Sequence, residues 1–233
     1  MEIAMLTKEI TTSRFDAFSA PELVSWAERR FGDGLVMSTS FGIQSAVTLH
    51  LTTLFRPDIP VIWVDTGYLP KETIQYATQL TELLNLNLHI ARSPMSPEEM
   101  EFKYGQLWES DSIDDLNRYD LIRKVEPMQT ALKELKATAR ISGLRAEQTD
   151  YRSELPRAKK TDSIFMVHPI LNWTNRDIHQ YMRQFNLPQH PLWARGYTTV
   201  GDSHSSRPKT VSDVSPRATR FRGIKQECGL HLS

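Results

Sequence analysis

The chain has 233 residues, 39% of them hydrophobic, which is enough to bury the core of one large globular domain. Its formal net charge is zero, but residues 1–135 carry 12 basic and 20 acidic side chains, whereas residues 136–233 carry 16 and 8. The basic excess is scattered rather than gathered in a Lys/Arg block, which argues against nucleic-acid binding and favours a small polyanionic ligand. Ordinary solvated surface charge is the alternative interpretation.

The sequence contains no apolar stretch of membrane-spanning length, so we expect no membrane partner. The first twenty residues include Glu2, Lys8, Glu9 and Arg14 and no apolar run, which predicts a chain without a secretory signal. Cys228 is the single cysteine, and it therefore cannot close an intramolecular disulfide. These features predict a soluble cytoplasmic protein, in which a lone thiol stays reduced.

Short apolar runs alternate with amphipathic patterns along most of the chain. The pattern predicts strands at 35–37, 61–64, 86–90, 139–142 and 165–167, and helices over 43–55, 71–84 and 126–136. Such alternation is typical of an α/β protein with a doubly wound, mainly parallel sheet. In such sheets, ligands bind beyond the carboxyl ends of the strands.

The periodic pattern weakens after Pro188, where prolines and glycines interrupt it repeatedly. Residues 203–219 are rich in Ser, Thr, Pro and Arg, which is typical of a mobile linker. We therefore expect an α/β domain over residues 1–200 and a mobile C-terminal tail over residues 201–233. The sequence shows no internal repeat.

A hydroxyl-rich turn follows the first predicted strand, between residues 38 and 45. Small residues at a strand-to-helix turn leave backbone N–H groups free, and the next helix adds its positive end, so the turn can hold a phosphate or sulfate. An ordinary helix cap uses the same residue types, and neither a Walker A nor a G-x-G-x-x-G pattern is present. The candidate binding residues in this turn are Ser38, Thr39, Ser40, Phe41 and Gly42.

A second candidate turn, Asp65, Thr66 and Gly67, follows the second predicted strand. Asp65 can orient a ribose hydroxyl or an adenine amino group, and Gly67 permits close backbone approach. A capped turn before a helix is the alternative. Two such turns on neighbouring strands indicate a ligand site more strongly than either turn alone.

Several basic residues follow the predicted strands or precede the chain end. Guanidinium groups make bidentate contacts to phosphate, and a ligand with several anionic groups needs more than one cation. Each residue taken singly is also explained as exposed surface charge. The candidates are Lys124, Arg145, Arg152, Arg217, Arg220 and Arg222.

Cys228 lies in a polar, glycine-flanked stretch near the chain end, where a core-filling role is unfavourable and a chemical role is indicated. Whatever this thiol captures must be released by water or by a thiol of another molecule. His231 is near enough to act on the same ligand or to favour the thiolate; a frayed terminal histidine is the alternative. The spacing of His168, His190 and His204 fits no zinc pattern, so we predict no metal.

Together these residues resemble the phosphoadenylyl-sulfate (PAPS) reductases. The matching segments are residues 38–44, 65–68, 124–128, 143–145, 190–193 and 227–231, which extend over nearly the whole chain. The terminal Glu-Cys-Gly-Leu-His motif is specific, whereas the hydroxyl-rich loop also occurs in modified form in ATP pyrophosphatases.

The resemblance implies an adenine-nucleotide α-hydrolase-like, PP-loop related fold, commonly a homodimer, with a nucleotide-binding reductase domain followed by a catalytic tail. It implies reduction of PAPS to sulfite and adenosine 3′,5′-bisphosphate in assimilatory sulfate reduction, with thioredoxin or glutaredoxin as electron donor. Cys228 is the implied nucleophile, and Lys124, Arg220 and His231 are implied contacts to anionic groups. Arg145 and Arg152 are candidates for reading the 3′-phosphate.

The related adenylyl-sulfate (APS) reductases hold an iron–sulfur cluster with a Cys-Cys pair and a later Cys-x-x-Cys. At the corresponding positions this chain has Tyr119-Asp120 and, later, Asp202 with Ser205. One cysteine cannot supply four ligands, so we predict no iron–sulfur cluster and no other tightly bound cofactor. The cluster-free type acts on PAPS, so PAPS is the implied substrate. An APS reductase is the alternative.

The resemblance also implies a mechanism in which Cys228 takes the sulfonyl group of PAPS, giving an S-sulfocysteine, and a dithiol protein then releases sulfite. Two further alternatives are an ATP pyrophosphatase and a non-catalytic nucleotide sensor. Neither requires Cys228. Pyrophosphate release from ATP would indicate the first, and nucleotide binding without turnover the second.

Overall fold

A computed structural model describes residues 15–213, 219–225, 227 and 229–230. Its strands are β1 (Leu35–Thr39), β2 (Pro60–Val64), β3 (Asn87–Ala91), β4 (Ala139–Ser142), β5 (Ala158–Lys160) and β6 (Phe165–Val167). Across this described part they form one sheet in the order β3-β2-β1-β4-β6-β5. All neighbouring pairs are parallel except β5 with β6, which is antiparallel at the sheet edge. The predicted mainly parallel α/β fold is therefore confirmed.

The helices are α1 (Ala20–Phe31), α2 (Ser45–Thr53), α3 (Lys71–Leu84), α4 (Pro97–Tyr104), α5 (Ile113–Asp120), α6 (Glu126–Glu134), α7 (Asp150–Ser153) and α8 (Asn175–Gln184). The three predicted helices correspond to α2, α3 and α6, with ends that differ by up to two residues. The sequence analysis did not predict α1, α4, α5, α7, α8 or β5. Three of the unpredicted helices begin with capping boxes, in which Ser19, Ser96 and Thr174 accept from the third helical residue.

A π-helical segment, Leu121–Val125, joins α5 to α6. A π turn holds more residues than an α turn, and such segments are frequent at functional sites. Arg123 and Lys124, adjacent in this segment, are both buried, with 3% and 6% of their surface exposed. The wider turn thus brings two neighbouring cations into the interior.

Strand β1 lies at the centre of the sheet, and both of its faces are covered. Leu35 and Met37 belong to the larger core cluster, which includes residues of α1, α2, α3 and α8. Val36, which points to the other face, packs with Ile62 of β2 and Met128 of α6. Helices on both faces account for the continuous apolar runs by which these strands were predicted.

The chain leaves β1 toward β2 and β3 on one side, and later returns to β4 on the other side of β1. The strand order therefore reverses between β1 and β4. In open α/β sheets, the crevice for a ligand forms beyond the carboxyl ends of the strands at such a reversal. The residues that follow β1, β2 and β4 converge there.

Several of the described residues after position 200 are buried in the structure, whereas residues 207–212 are exposed. Asp202, Ser205, Thr219 and Arg220 are buried, and Ser206 forms an isolated antiparallel bridge with Arg220. The division of the chain at residue 200 stays a prediction. Among the described residues, no helix combines the length and apolar character needed to cross a bilayer.

Candidate active site

A cavity of about 220 Å³ lies at the carboxyl edge of the sheet, at the reversal of strand order. It collects residues from the turns after β1, β2 and β4, from the π-helical segment and from the region around residue 200. Of the predicted site residues, those that line it are Ser38, Thr39, Ser40, Gly42, Thr66, Lys124, Arg145, Arg152 and Arg220.

The hydroxyl segment, residues 38–45, is folded back tightly by local contacts. Phe41 has a φ of 46°, and its backbone N–H donates to Thr39 Oγ1 at 3.1 Å. The Ser45 hydroxyl donates to the Gly42 carbonyl at 2.8 Å. The Phe41 ring is fully buried against Trp63, with centroids 5.1 Å apart, so Phe41 anchors the segment while its polar neighbours face the cavity.

The turn after β2 contributes Thr66 to the cavity, but not Asp65 or Gly67. Asp65 accepts from the Gly67 backbone N–H at 3.0 Å and pairs with Arg92 at 2.9 Å. Gly67 has a φ of 79°, and a side chain there would meet Pro97 at 2.7 Å. These two residues therefore shape the turn, and the Thr66 hydroxyl donates to Asp202.

A charge cluster borders the cavity and consists of Asp120, Lys124, Asp202, Arg220 and Lys225. Lys124 Nζ lies 2.9 Å from Asp120 Oδ1 and 2.9 Å from Asp202 Oδ2. Lys225 Nζ lies 2.6 Å from the other oxygen of Asp120. Lys124 is thus held between two carboxylates that are each no more than 2% exposed.

The cations of the cluster keep Asp202 ionised despite its burial. Burial alone would raise the pKa of Asp202, but Lys124, the hydrogen bond from Thr66 and Arg220 together hold it well below its usual value. Burial and the nearby Asp202 charge raise the pKa of Tyr119 well above its usual value. A fixed negative charge therefore lies beside Lys124 at the cavity wall.

The Arg220 guanidinium is held by two serine hydroxyls and lies close to Gly201. Its guanidinium donates to Ser206 Oγ at 2.7 Å and to Ser205 Oγ at 3.4 Å. The same group lies against Gly201, where any added Cβ would overlap it. Ser205, Asp202, Asp120 and Tyr119 thus surround Lys124 and Arg220.

Arg145 and Arg152 line the cavity, but both are engaged with protein groups. Arg145 donates to Gln44, to Asn175 at 2.9 Å and to Glu147. Burial lowers the pKa of Arg145 from its usual value. Arg152 pairs with Glu227 in a buried salt bridge at 2.7 Å.

The three histidines that were considered as metal ligands, His168, His190 and His204, all have lowered pKa values. His168 Nδ1 lies 2.8 Å from the Ser142 hydroxyl, and burial, with the nearby Arg140 charge, lowers the pKa of His168 to about 3. Burial likewise lowers the pKa of His190 and of His204 to about 4. Within the described residues, no group of three or more His, Cys, Asp or Glu side chains is arranged to hold a metal ion.

For four predicted site residues the structure gives no side-chain position. Cys228, His231 and Arg217 lie outside the described residues. Arg222 belongs to the turn Phe221–Gly223, but its side chain is not among the described groups. Their predicted roles stay predictions.

Sequence reasoning missed a stretch of the cavity lining between residues 198 and 202. Thr198, Thr199, Val200, Gly201 and Asp202 follow one another along the wall. Two adjacent threonines before a Gly-Asp pair repeat the composition of the two predicted turns, and that similarity was the available signal. Lining residues outside the two predicted turns and this stretch include Thr48, Met128, Ser142, Gln148 and Leu230.

Comparison with known proteins gives a consistent result. Residues 34–208 match the family model of the phosphoadenosine phosphosulfate reductase domain. The chain is 56% identical over 214 residues to phosphoadenosine 5′-phosphosulfate reductase of Synechococcus sp., covering 92% of each protein. It is 48% identical over 218 residues to the protein of the same name from Pectobacterium atrosepticum, covering 94% of this chain and 88% of the relative.

Solved structures agree. The PAPS reductase of Candida auris, crystallised as a phosphate complex, superposes with a TM-score of 0.72 at 30% identity, covering 84% of this chain and 94% of that one. The FMN adenylyltransferase of Candida glabrata gives a TM-score of 0.60 at 16% identity, with 87% and 67% covered, and this likeness concerns the fold alone.

The sheet topology, the cavity at its carboxyl edge and both structural neighbours define an adenine-nucleotide α-hydrolase-like fold, as predicted. Within this fold class, the sequence matches identify the family. The chain belongs to the phosphoadenosine phosphosulfate reductase family.

Proposed function

We propose that this protein reduces PAPS to sulfite and adenosine 3′,5′-bisphosphate, through an S-sulfo intermediate on Cys228 and with thioredoxin as electron donor. One observation carries the proposal. The cavity at the sheet reversal combines the hydroxyl segment, Lys124 and Arg220 with Leu230, which is only two residues beyond Cys228 in sequence. The elements that we propose bind the nucleotide thus lie in one place with a residue close in sequence to Cys228.

The hydroxyl segment is the proposed site for the nucleotide. Ser38, Thr39, Ser40 and Gly42 offer hydroxyl and backbone donors beside the first turn of α2, where an anionic group is stabilised. Thr66 lines the same space. The proposed role of Phe41, Asp65 and Gly67 is to hold these turns in shape, since their contacts are with the protein itself.

Lys124 and Arg220 are the proposed partners of the phosphosulfate. Both line the cavity, and both are held by buried groups, so they need little reorganisation when charge develops on the leaving phosphate. Arg217, Arg222 and His231 are proposed to add donors from the tail. Arg145 and Arg152 stay candidates for the 3′-phosphate.

In the first chemical step, the Cys228 thiolate attacks the sulfur of the sulfonyl group. An S–S bond forms, the bond from sulfur to the bridging oxygen breaks, and adenosine 3′,5′-bisphosphate leaves with that electron pair. The enzyme then carries a thiosulfonate on Cys228. No electrons have yet entered from outside.

The second step needs a dithiol protein, which we propose is thioredoxin, with glutaredoxin as the other candidate. Its thiolate attacks the Cys228 sulfur, and sulfite leaves with the electron pair of the S–S bond. The second thiol of the donor then resolves the mixed disulfide, which restores the Cys228 thiol and leaves the donor oxidised. The donor supplies two electrons, and the proposal requires no metal or tightly bound cofactor.

We place the enzyme in the cytoplasm, where thiols stay reduced, and in assimilatory sulfate reduction, which supplies sulfite for cysteine biosynthesis. A homodimer is part of the proposal. Light scattering of the purified protein measures that state directly.

Mass spectrometry of the intact protein tests the intermediate. Mixing the protein with PAPS alone should add one SO3 group to Cys228, and thioredoxin should then release sulfite. The Cys228→Ser variant should bind adenosine 3′,5′-bisphosphate normally but release no sulfite. Sulfite release by that variant at the wild-type rate would refute the proposal.

A parallel assay with APS separates the two reductase classes. PAPS turnover in excess of APS turnover supports the proposed substrate. The reverse preference would assign the chain to the APS-directed type instead.

A further inference from the structure

The described part of the chain end is anchored to the cavity wall by a buried salt bridge. Glu227 accepts from Arg152 Nε at 2.8 Å with one carboxylate oxygen and from Arg152 Nη2 at 2.7 Å with the other. Thr149 Oγ1 donates to the same carboxylate at 2.8 Å. Glu227 and Arg152 are only 7% and 5% exposed. This is a forked, two-point contact, which fixes orientation as well as distance.

Arg152 is also held by contacts other than those with Glu227. It lies in the short helix α7, where its backbone N–H donates to the capping Thr149 hydroxyl at 3.2 Å. Its Nη1 group donates to Gln148, another residue of the cavity lining. Each of its three side-chain nitrogens therefore donates to a protein group. A phosphate bound by the same N–H groups would have to displace Glu227.

A second anchor lies three residues further along the chain. The carbonyl of Leu230 accepts from Arg140 Nη2 at 2.7 Å. Its side chain packs against the cluster of Val36, Ile62 and Met128 on one face of the sheet. Two anchored residues, Glu227 and Leu230, therefore flank positions 228 and 229.

We propose that Arg152 and Glu227 form a positioning pair that sets the register of the chain end on the cavity. Cys228 directly follows Glu227, so a fixed Glu227 limits where the thiol can reach. The inference rests on the proposed function and deepens it. It gives Arg152 the role of holding the chain end, in place of reading the 3′-phosphate.

The pair also has an electrostatic consequence for the Cys228 thiol. An unpaired carboxylate next to the thiol would disfavour the thiolate. The bidentate guanidinium neutralises that carboxylate in a buried site, where the effect of an uncompensated charge is largest. The contact between Arg152 and Glu227 therefore both fixes the position of Glu227 and neutralises its charge.

Two single variants and their double variant, in the full-length protein, test the pair. Glu227→Gln keeps the size of the side chain but loses its charge, and we expect kcat with PAPS and thioredoxin to fall about 10- to 100-fold, with KM within about twofold. Arg152→Gln should be worse, because it leaves Glu227 buried and unpaired. The double variant should recover activity relative to Arg152→Gln, since paired residues act non-additively. Glu72→Gln, which breaks the more exposed pair with Arg195, is the matched control and should leave kcat unchanged.

Nucleotide affinity separates positioning from phosphate binding. Calorimetry should give each variant a wild-type dissociation constant for adenosine 3′,5′-bisphosphate and for adenosine 5′-phosphate. A selective loss of affinity for the bisphosphate in Arg152→Gln would make Arg152 a phosphate reader and overturn the inference. A wild-type kcat in Glu227→Gln would overturn it as well.

Failure of the proposed function is recognised separately, because the wild-type protein would then release no sulfite from either nucleotide. In that event the rate of Cys228 alkylation by iodoacetamide tests the positioning pair, since Cys228 is the single cysteine. A rate changed by at least about threefold in Glu227→Gln, but not in Glu72→Gln, supports the pair. An unchanged rate refutes it.

Discussion

The hydroxyl segment and the charge cluster border the same cavity but are built differently. The hydroxyl segment is local: residues 38–45 are contiguous, and contacts within the segment and with Trp63 hold their shape. The charge cluster joins positions as far apart as Asp120 and Lys225, and its members are held mainly by one another. Changing one hydroxyl of the segment should therefore alter the free energy of unfolding little. Removing one charge of the cluster should alter it more, because the remaining charges lose a partner.

Removing one carboxylate of the charge cluster should give the largest effect. Asp202→Ala removes one of the two carboxylates that hold Lys124 and the negative charge near Arg220, and breaking a buried pair in this way should lower the free energy of unfolding by about 3 kcal/mol. Urea denaturation followed by circular dichroism measures this. Glu72→Ala, in the more exposed pair with Arg195, should cost no more than about 1 kcal/mol. Equal losses in the two variants would show that the cluster is not a coupled unit.

Gly201→Ala should have an intermediate effect, because it disturbs one member of the cluster without removing a charge. The new Cβ overlaps the Arg220 guanidinium, and such overpacking costs about 1–3 kcal/mol. We expect the dissociation constant for adenosine 3′,5′-bisphosphate to rise about tenfold, as Arg220 leaves its position. In the background of Arg220→Ala, adding Gly201→Ala should change affinity no further. An additive loss would mean that Gly201 acts on binding by another route.

The smallest effect is expected in the hydroxyl segment. Ser40→Ala removes one exposed hydroxyl from the cavity wall and should weaken nucleotide binding by about 0.5–1.5 kcal/mol. The free energy of unfolding should stay within about 0.5 kcal/mol of the wild type. Calorimetry and urea denaturation, with the exposed Ser203→Ala as control, test both statements. A stability loss as large as that of Asp202→Ala would erase the contrast between the two regions.

The same contrast explains how much of the molecule the sequence could predict. The strands and the helices α2, α3 and α6 carry their own periodicity, so β1, β2 and β4 and the turns beyond them followed from local pattern alone. The turn at Ser38 was found for the same reason. Lys124 and Arg220 were among the basic candidates, but no local pattern distinguishes them from surface charge, and only the family resemblance implied their contacts to anionic groups.

The partners of those cations were not predictable. In the sequence, strands β4 to β6 and helices α6 to α8 lie between Lys124 and Asp202, and only the folded chain brings the two within 2.9 Å. Arg152 shows the same limit, since nothing near it in sequence indicates that Glu227 is its partner. Long-range ion pairs have no periodic signature, whereas strands and helices do.

The π-helical segment Leu121–Val125 has a consequence for the length of the chain. Each residue of a helix turns the chain by about 100°. Deleting Leu121 there would shorten the spacing of Lys124 from Asp120 from four residues to three, and it would remove the wider turn that places Arg123 and Lys124 in the interior. The interior would then lose the match between its acidic and basic groups although every charged residue was retained. The spacing of this helix is therefore as much a determinant of the site as the identity of any residue in it.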